Sequence, residues 1–209
     1  MLHLSAQSNK ISIQGGVTGT SFSSSLMSEQ KLKFGDTYHL GYERETESKL
    51  LLSVGVSYIS MGTRITNTGI DGLVVVEDLN LIEFENTLDF NYISIPLKVG
   101  KRIGDDFFGF GYLGVSNRFL LTAIEDRPRF DSNLEIIGRQ KEDITKDVKR
   151  FDFAGLISLG FGKKFSNHEV FLSSSFTFSA TSFETDNFLT GLNPRNYGGI
   201  LKIGYNYRF

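Results

Sequence analysis

From Tyr197 to Phe209 the chain alternates apolar and polar positions without a break. Tyr197, Gly199, Leu201, Ile203, Tyr205, Tyr207 and Phe209 share one face, and Gly198, Ile200, Lys202, Gly204, Asn206 and Arg208 share the other. Successive side chains of a strand point to opposite sides, so a period of two means a strand with one oily face and one mostly wet face. A strand of this kind that closes on aromatic residues fits a wall standing between lipid and a polar lumen.

Seven further segments follow the same rule. Lys10 to Thr20 sets Ile11, Ile13, Gly15 and Val17 against Ser12, Gln14, Gly16 and Thr18. Thr37 to Glu43 carries Tyr38, Leu40 and Tyr42 on one side, and Leu50 to Ser60 sets Leu52, Val54, Val56 and Tyr58 against Ser53, Gly55 and Ser57. In Leu88 to Arg102 an early trio, Leu88, Phe90 and Tyr92, gives way to Ile93, Ile95, Leu97 and Val99. The phase shift near Tyr92 predicts a bulge, at which Pro96 is also at home, or else a wet face that is locally apolar. Phe107 to Leu121 is rich in glycine and aromatics, and its lipid face is not assignable from the pattern. Phe151 to Phe161 and Val170 to Ala180 alternate clearly. Each segment is about 10 residues or slightly more, enough for a tilted strand to cross a bilayer.

The connections alternate in length. Long ones span roughly 21–36, 61–86, 122–150 and 181–195, and short ones are 44–48, 103–106 and 166–169. Outer-membrane barrels have long external loops and tight periplasmic turns, so the asymmetry sets the orientation. The expected fold is all-β: an eight-stranded antiparallel up-and-down transmembrane β-barrel with long extracellular loops and short periplasmic turns. A soluble lipocalin-like barrel is the fold-level rival.

Composition agrees with this picture and removes several chemistries. The chain has 209 residues, 22 glycines, 19 phenylalanines and no cysteine. Disulfides and cysteine-ligated metals are therefore excluded. A net charge of −2 offers no bulk attraction to nucleic acid. No stretch approaches the roughly 18 apolar residues of a spanning helix. Residues 1–7, Met-Leu-His-Leu-Ser-Ala-Gln, read as the remnant of a secretory signal peptide with cleavage after Ala6, leaving 8–209 as a single barrel domain.

Three runs carry a family resemblance: Lys49 to Tyr58, Asn91-Tyr92-Ile93-Ser94-Ile95-Pro96-Leu97-Lys98, and Lys149-Arg150-Phe151-Asp152-Phe153-Ala154-Gly155-Leu156. The terminal run Ile203 to Phe209 fits as well. In this order they resemble the PorT-like outer-membrane β-barrel family of Bacteroidota. The resemblance implies an eight-stranded barrel in the bacterial outer membrane, with some members linked to type IX secretion. It carries over no catalytic residue.

The lumen of so small a barrel is filled by side chains. Asp89, Asn91, Arg118, Asp152, Lys202, Asn206 and Arg208 are candidates to fill it, with Asp89 and Asp152 pairing with Arg118 and Lys202, since an unpaired buried charge is costly. Lys98, Lys101, Lys163 and Lys164 near the inner strand ends are expected either to snorkel to lipid phosphates or to sit in water. Tyr205, Tyr207 and Phe209 fit a periplasmic aromatic girdle, and Tyr197, Phe178 and Phe151 an outer one.

Catalytic chemistry has little support. A lipid-active hydrolase needs a serine, a histidine in hydrogen-bond reach and an orienting acid. Of three histidines, His3 lies in the leader and His168 in a short turn, which leaves His39. The mixed-charge run Arg139 to Arg150 reads as a solvated face without calcium-loop spacing. The run containing Ile70, Leu73 to Val76, Leu79, Leu81 and Ile82 is apolar for an external loop and reads as a wall-extending hairpin or a docking surface. The functional expectation is a non-enzymatic outer-membrane barrel, structural or accessory to a secretion or uptake machine. It requires no cofactor or metal; its partners are outer-membrane lipid and other outer-membrane or periplasmic proteins, not nucleic acid. A small channel and a lipid-modifying hydrolase resting on His39 are the alternatives.

Overall fold

The computed structural model describes residues 8–23, 30–68, 83–131, 135–183 and 193–209. The leader, 1–7, and the apolar run within 70–82 lie outside the described residues. The strands are β1 (Ser8–Ser23), β2 (Gln30–Glu45), β3 (Leu50–Thr68), β4 (Glu83–Gly104), β5 (Phe107–Phe130), β6 (Ile136–Asp143), β7 (Phe151–Phe165), β8 (His168–Ser179) and β9 (Arg195–Arg208). Eight of them close a ring in the order β4-β3-β2-β1-β9-β8-β7-β5, with β5 returning to β4. Every pairing is antiparallel, and β1 and β9 join across the full span from Lys10↔Arg208 to Ser23↔Arg195. Closure removes the free edges that an open sheet would expose to lipid.

The wall is inverted relative to a soluble protein. Ile13, Val17, Leu40, Leu159, Leu201 and Ile203 face outward and are exposed, whereas Lys10, Ser12, Gln14, Thr18, Ser173 and Asn206 are buried inside. The period of two is the same as in any amphipathic strand, but the solvent outside is hydrocarbon. Rings gather at both rims. Tyr207 and Phe209 stack at 6.5 Å at the lower rim, while Tyr38 and Tyr58 at 6.3 Å and Phe119 and Phe151 at 5.6 Å flank the upper one.

Two segments depart from the expected phase. β4 keeps a single alternation throughout: Leu88, Phe90, Tyr92, Ser94 and Pro96 all face inward. The register shift lies instead on β5, where Asn91↔Thr122 is followed by Tyr92↔Leu120, so Leu121 is the extra residue. Pro96 sits in regular register with Ser116, not in a bulge; its missing amide coincides with a gap in the β3–β4 ladder between Val54↔Leu97 and Ser57↔Ser94. The apolar trio points inward because this stretch of wall rises past the hydrocarbon. There water is outside, and the interior becomes an ordinary apolar core.

The third long connection is largely structured. β5 runs on to Phe130 and folds back as β6, from Ile124↔Asp143 to Phe130↔Ile136. This hairpin stands in the ring position that β7 occupies lower down, where Phe119↔Phe151 is the last β5–β7 pair. Likewise β3 and β4 stay paired out to Thr68↔Glu83, so the second connection begins as the expected hairpin. The opposite end of the barrel has tight turns. Lys49 and Ser166 adopt φ of 60° and 56°, and Gly104 adopts 88° where a Cβ would meet the Phe107 carbonyl oxygen at 2.2 Å.

Candidate functional site: the lumen

The inward side chains form three tiers, ordered by distance from the short turns. The lowest is an ionic floor. Lys10 Nζ reaches Glu43 at 3.0 Å, Glu45 at 2.9 Å and Glu169 at 3.2 Å. Arg102 Nη1 donates to Glu169 Oε1 at 2.7 Å, and Arg208 Nη1 donates to the same oxygen at 3.0 Å. Asn206 donates to Glu169 Oε2 at 3.0 Å, and the Tyr112 hydroxyl donates to Glu43. Three carboxylates thus meet three cations. The Arg102 guanidinium also lies 3.7 Å from the Phe108 ring centroid. Buried charges paired in this way hold their strands in a defined register, and removing one partner strands the others.

Turns beneath the floor are tied to it. Arg102 donates from Nη2 to the Asp105 carbonyl at 2.8 Å, and Lys49 Nζ bonds the Asp105 carboxylate at 2.7 Å. The hydrogen bond and charge of Lys49 hold the Asp105 carboxyl below its ordinary pKa.

Between the floor and Arg118 is a polar chamber of about 70 Å³ lined by Lys98, Lys202, His39 and a set of serines, with Lys10, Glu43 and Glu169 of the floor forming its lower wall. Ser94 and Ser116 pair with each other at 2.5 Å, and Ser158 pairs with Ser175 at 2.7 Å. His39 Nδ1 lies 2.8 Å from Ser57 Oγ, and its ring occupies a niche left by Gly41 and Gly55, where a Cβ would meet it at 2.5 Å and 2.4 Å. Among the described residues no carboxylate bonds the imidazole, and Nε2 is buried without a partner. The histidine–serine contact exists, but the acid that would orient a base does not accompany it.

The upper tier begins with Arg118, whose Nη1 donates to Asp152 Oδ2 at 3.1 Å. Ser179 donates to the same oxygen at 2.7 Å, Thr181 donates to Oδ1 at 2.7 Å, and Arg118 also bonds Thr177. Over this pair lies an apolar ceiling of Phe22, Met61, Phe90, Tyr92, Ile144, Val148 and Phe183, among others. Ile144 and Val148 belong to the segment between β6 and β7, which turns inward across the mouth. The Ile144 amide donates to the Ala123 carbonyl at 2.9 Å, and the Ala123 amide donates to Thr145 Oγ1 at 2.8 Å. Phe183 packs on Phe22 and Phe90 with centroids 5.2 Å and 4.9 Å away.

Of the residues singled out from sequence, Arg118 and Asp152 meet inside the barrel, and Lys202 lines the chamber. Asp89 does not belong to the lumen. It lies on the outer side of β4, because Leu88 and Phe90 take the inner one, and pairs with Lys33. Asn91 is outside as well, accepting from Tyr58 at 2.8 Å and donating to Thr122 at 3.0 Å. Lys98 neither snorkels to lipid nor sits in water outside; its even position on β4 directs it inward, 4.9 Å from the Tyr112 ring centroid. Lys101 and Lys163 do face outward, the latter lying over Phe107 and Phe165. Lys10, Glu43, Glu45, Arg102 and Glu169 went unassigned in the sequence pattern. Their signal was present: each shares parity with the polar face of its strand, next to a turn or terminus.

The chain matches the family described as "Outer membrane protein beta-barrel domain" over residues 5–185. No curated protein matches it in sequence. Among solved structures it is similar to Neisserial surface protein A, at 12% identity and TM-score 0.48, covering 98% of this chain and 99% of that one. It is also similar to OprG from Pseudomonas aeruginosa, at 13% identity and TM-score 0.49 with 96% and 95% covered. Ail, the attachment invasion locus protein of Yersinia pestis, aligns at 18% identity and TM-score 0.43 with 96% and 98% covered.

Proposed function

This chain belongs to the outer membrane protein beta-barrel domain family and resides in the bacterial outer membrane, and on that premise we propose that it is a non-enzymatic barrel acting by interaction, as a structural or accessory subunit of a secretion or uptake machine. The observation that carries this reading is the double closure of the lumen. Among the described residues, the ionic floor around Glu169 and the apolar ceiling around Phe90 and Phe183 fill the lumen below and above a small polar chamber. A lumen filled by side chains at both ends favours no continuous channel, so function passes to the surfaces at the two ends of the wall. On the outside the β5–β6 hairpin projects past the ring, with Ile136 and Ile137 exposed on it. Among the described residues β6 pairs with β5 alone, and an extended segment of a partner protein can join its other edge.

The PorT-like resemblance of the runs around Tyr92–Lys98 and Phe151–Leu156 supports placing the protein with Bacteroidota secretion barrels. Enzymatic activity is disfavoured by the position of His39, which lies beneath the ceiling, away from any lipid surface. The test is extraction in mild detergent from the native outer membrane with a tagged chain, read by mass spectrometry, alongside conductance of the purified barrel in planar bilayers. A stoichiometric outer-membrane or periplasmic partner together with a silent bilayer is the expected result. Sustained ion conductance by the isolated protein would replace this reading with a channel.

A further inference from the structure

Among the described residues, charge does not balance inside this barrel. Lys10, Arg102 and Arg208 are matched by Glu43, Glu45 and Glu169 in the floor, and Arg118 is matched by Asp152 above. Lys98 and Lys202 remain. Among the described residues neither ammonium group has a carboxylate within ion-pair distance, although both line the same chamber. They rise from β4 and β9, which stand four strands apart in the ring and so face each other across the lumen. Gly114 and Gly16, their register partners, leave the space beside them free of side chains.

An enclosed pair of like charges is costly in a low-dielectric interior unless a counter-charge joins them. The groups around the pair are suited to one. Ser53 is the register partner of Lys98 on β3, and Ser173 that of Lys202 on β8. Neither hydroxyl is engaged by another side chain among the described residues. The chamber, about 70 Å³, has room for several waters. That is sufficient for a halide or a single tetrahedral oxyanion.

We propose that the chamber between Lys98 and Lys202 is a binding site for one small inorganic anion, which completes the charge balance of the lumen and stabilises the closed barrel. The site is independent of any partner at the loops. It converts two repelling ammonium groups into a bridge across the barrel and links β4 to β9.

The test uses the full barrel in detergent micelles, with sodium chloride and sodium phosphate as separate probes and ionic strength held constant by sodium gluconate, whose anion is bulky and carries a single delocalised charge. The urea midpoint of the wild type should rise and saturate with at least one probe. At about ten times the half-saturating concentration the folded-to-unfolded ratio should increase roughly 11-fold. The Lys98→Met/Lys202→Met double variant should lose this dependence, while Lys101→Met/Lys163→Met, altered only on the outer face, should keep it. Should the inner double variant fail to fold, bromide anomalous scattering in wild-type crystals replaces it, with a peak expected between the two Nζ atoms. A wild-type midpoint indifferent to both anions, an equal dependence in the inner variant, or a bromide-soaked chamber without a peak overturns the proposal.

Discussion

Arg118 of β5 and Asp152 of β7 stand directly opposite in register and join at 3.1 Å inside the wall, both almost wholly buried. The pair marks the level at which the polar lumen ends and the apolar ceiling begins. With Ser179 and Thr181 donating to the carboxylate, the aspartate has a complete set of partners. Replacing Asp152 by Ala leaves Arg118 charged and buried without its counter-ion. A loss of about 3–5 kcal/mol is expected, measured by urea unfolding in lipid vesicles. Arg118→Met/Asp152→Leu, which removes both charges, should recover most of it.

Glu169 gathers more partners than any other lumen acid: Lys10, Arg102, Arg208 and Asn206. Glu169→Ala therefore strands several donors at once. It should destabilise the barrel at least as much as Asp152→Ala and more than Asp105→Ala, whose turn pair with Lys49 is solvent-exposed and screened. Comparing the three denaturation midpoints checks the order.

The outer face obeys the opposite rule. Leu201 is exposed beside inward-facing Lys202 on the same strand. Leu201→Arg places a charge in hydrocarbon and should cost about 2–4 kcal/mol in vesicles, if that level is near the bilayer midplane as its central place on β9 implies. The penalty should fall by more than half in a detergent with a thin, water-penetrated micelle.

Above the membrane, Glu125 and Glu142 face each other in the β5–β6 hairpin. Burial, with Glu142 nearby, pushes the Glu125 carboxyl above its ordinary pKa, while Arg127 opposes that shift. A raised folded-state pKa means that the acid supports the hairpin most when protonated, and that this support is lost as pH rises through the raised value. Glu125→Gln should therefore slow amide hydrogen exchange across Ile136–Asp143 at pH 7 and leave it nearly unchanged near pH 4.

Much of the architecture was legible in the chain. The alternation from Lys10 to Thr20 and from Tyr197 to Phe209 identified lipid and lumen faces correctly, because a strand crossing a bilayer meets one solvent on each side for its whole length. The short turns at Ser48 and Asn167 and the long connections between them set the up-and-down order. Where the surroundings change along a strand, that reading failed. Asp89 looked like a lumen acid because Leu88 and Phe90 looked like lipid contacts, yet at that height water lies outside and the ceiling inside. The β6 strand was hidden for a related reason. Its residues, Ile136 to Asp143, are exposed throughout, so no buried face imposes a period of two.

The eight-strand up-and-down ring, and the facing of those strands that keep one solvent on each side, were thus legible in the sequence alone, since both follow from local periodicity and the lengths of connections. The identities of the lumen partners were decided only by the tertiary structure. Lys10 meets Glu169, and Lys98 faces Lys202, because ring closure and strand stagger bring distant inward positions to the same height. Those quantities belong to the closed barrel as a whole. No single strand encodes them, which is why the polar faces could be recognised one by one while the floor, the chamber and the ceiling they build together could not.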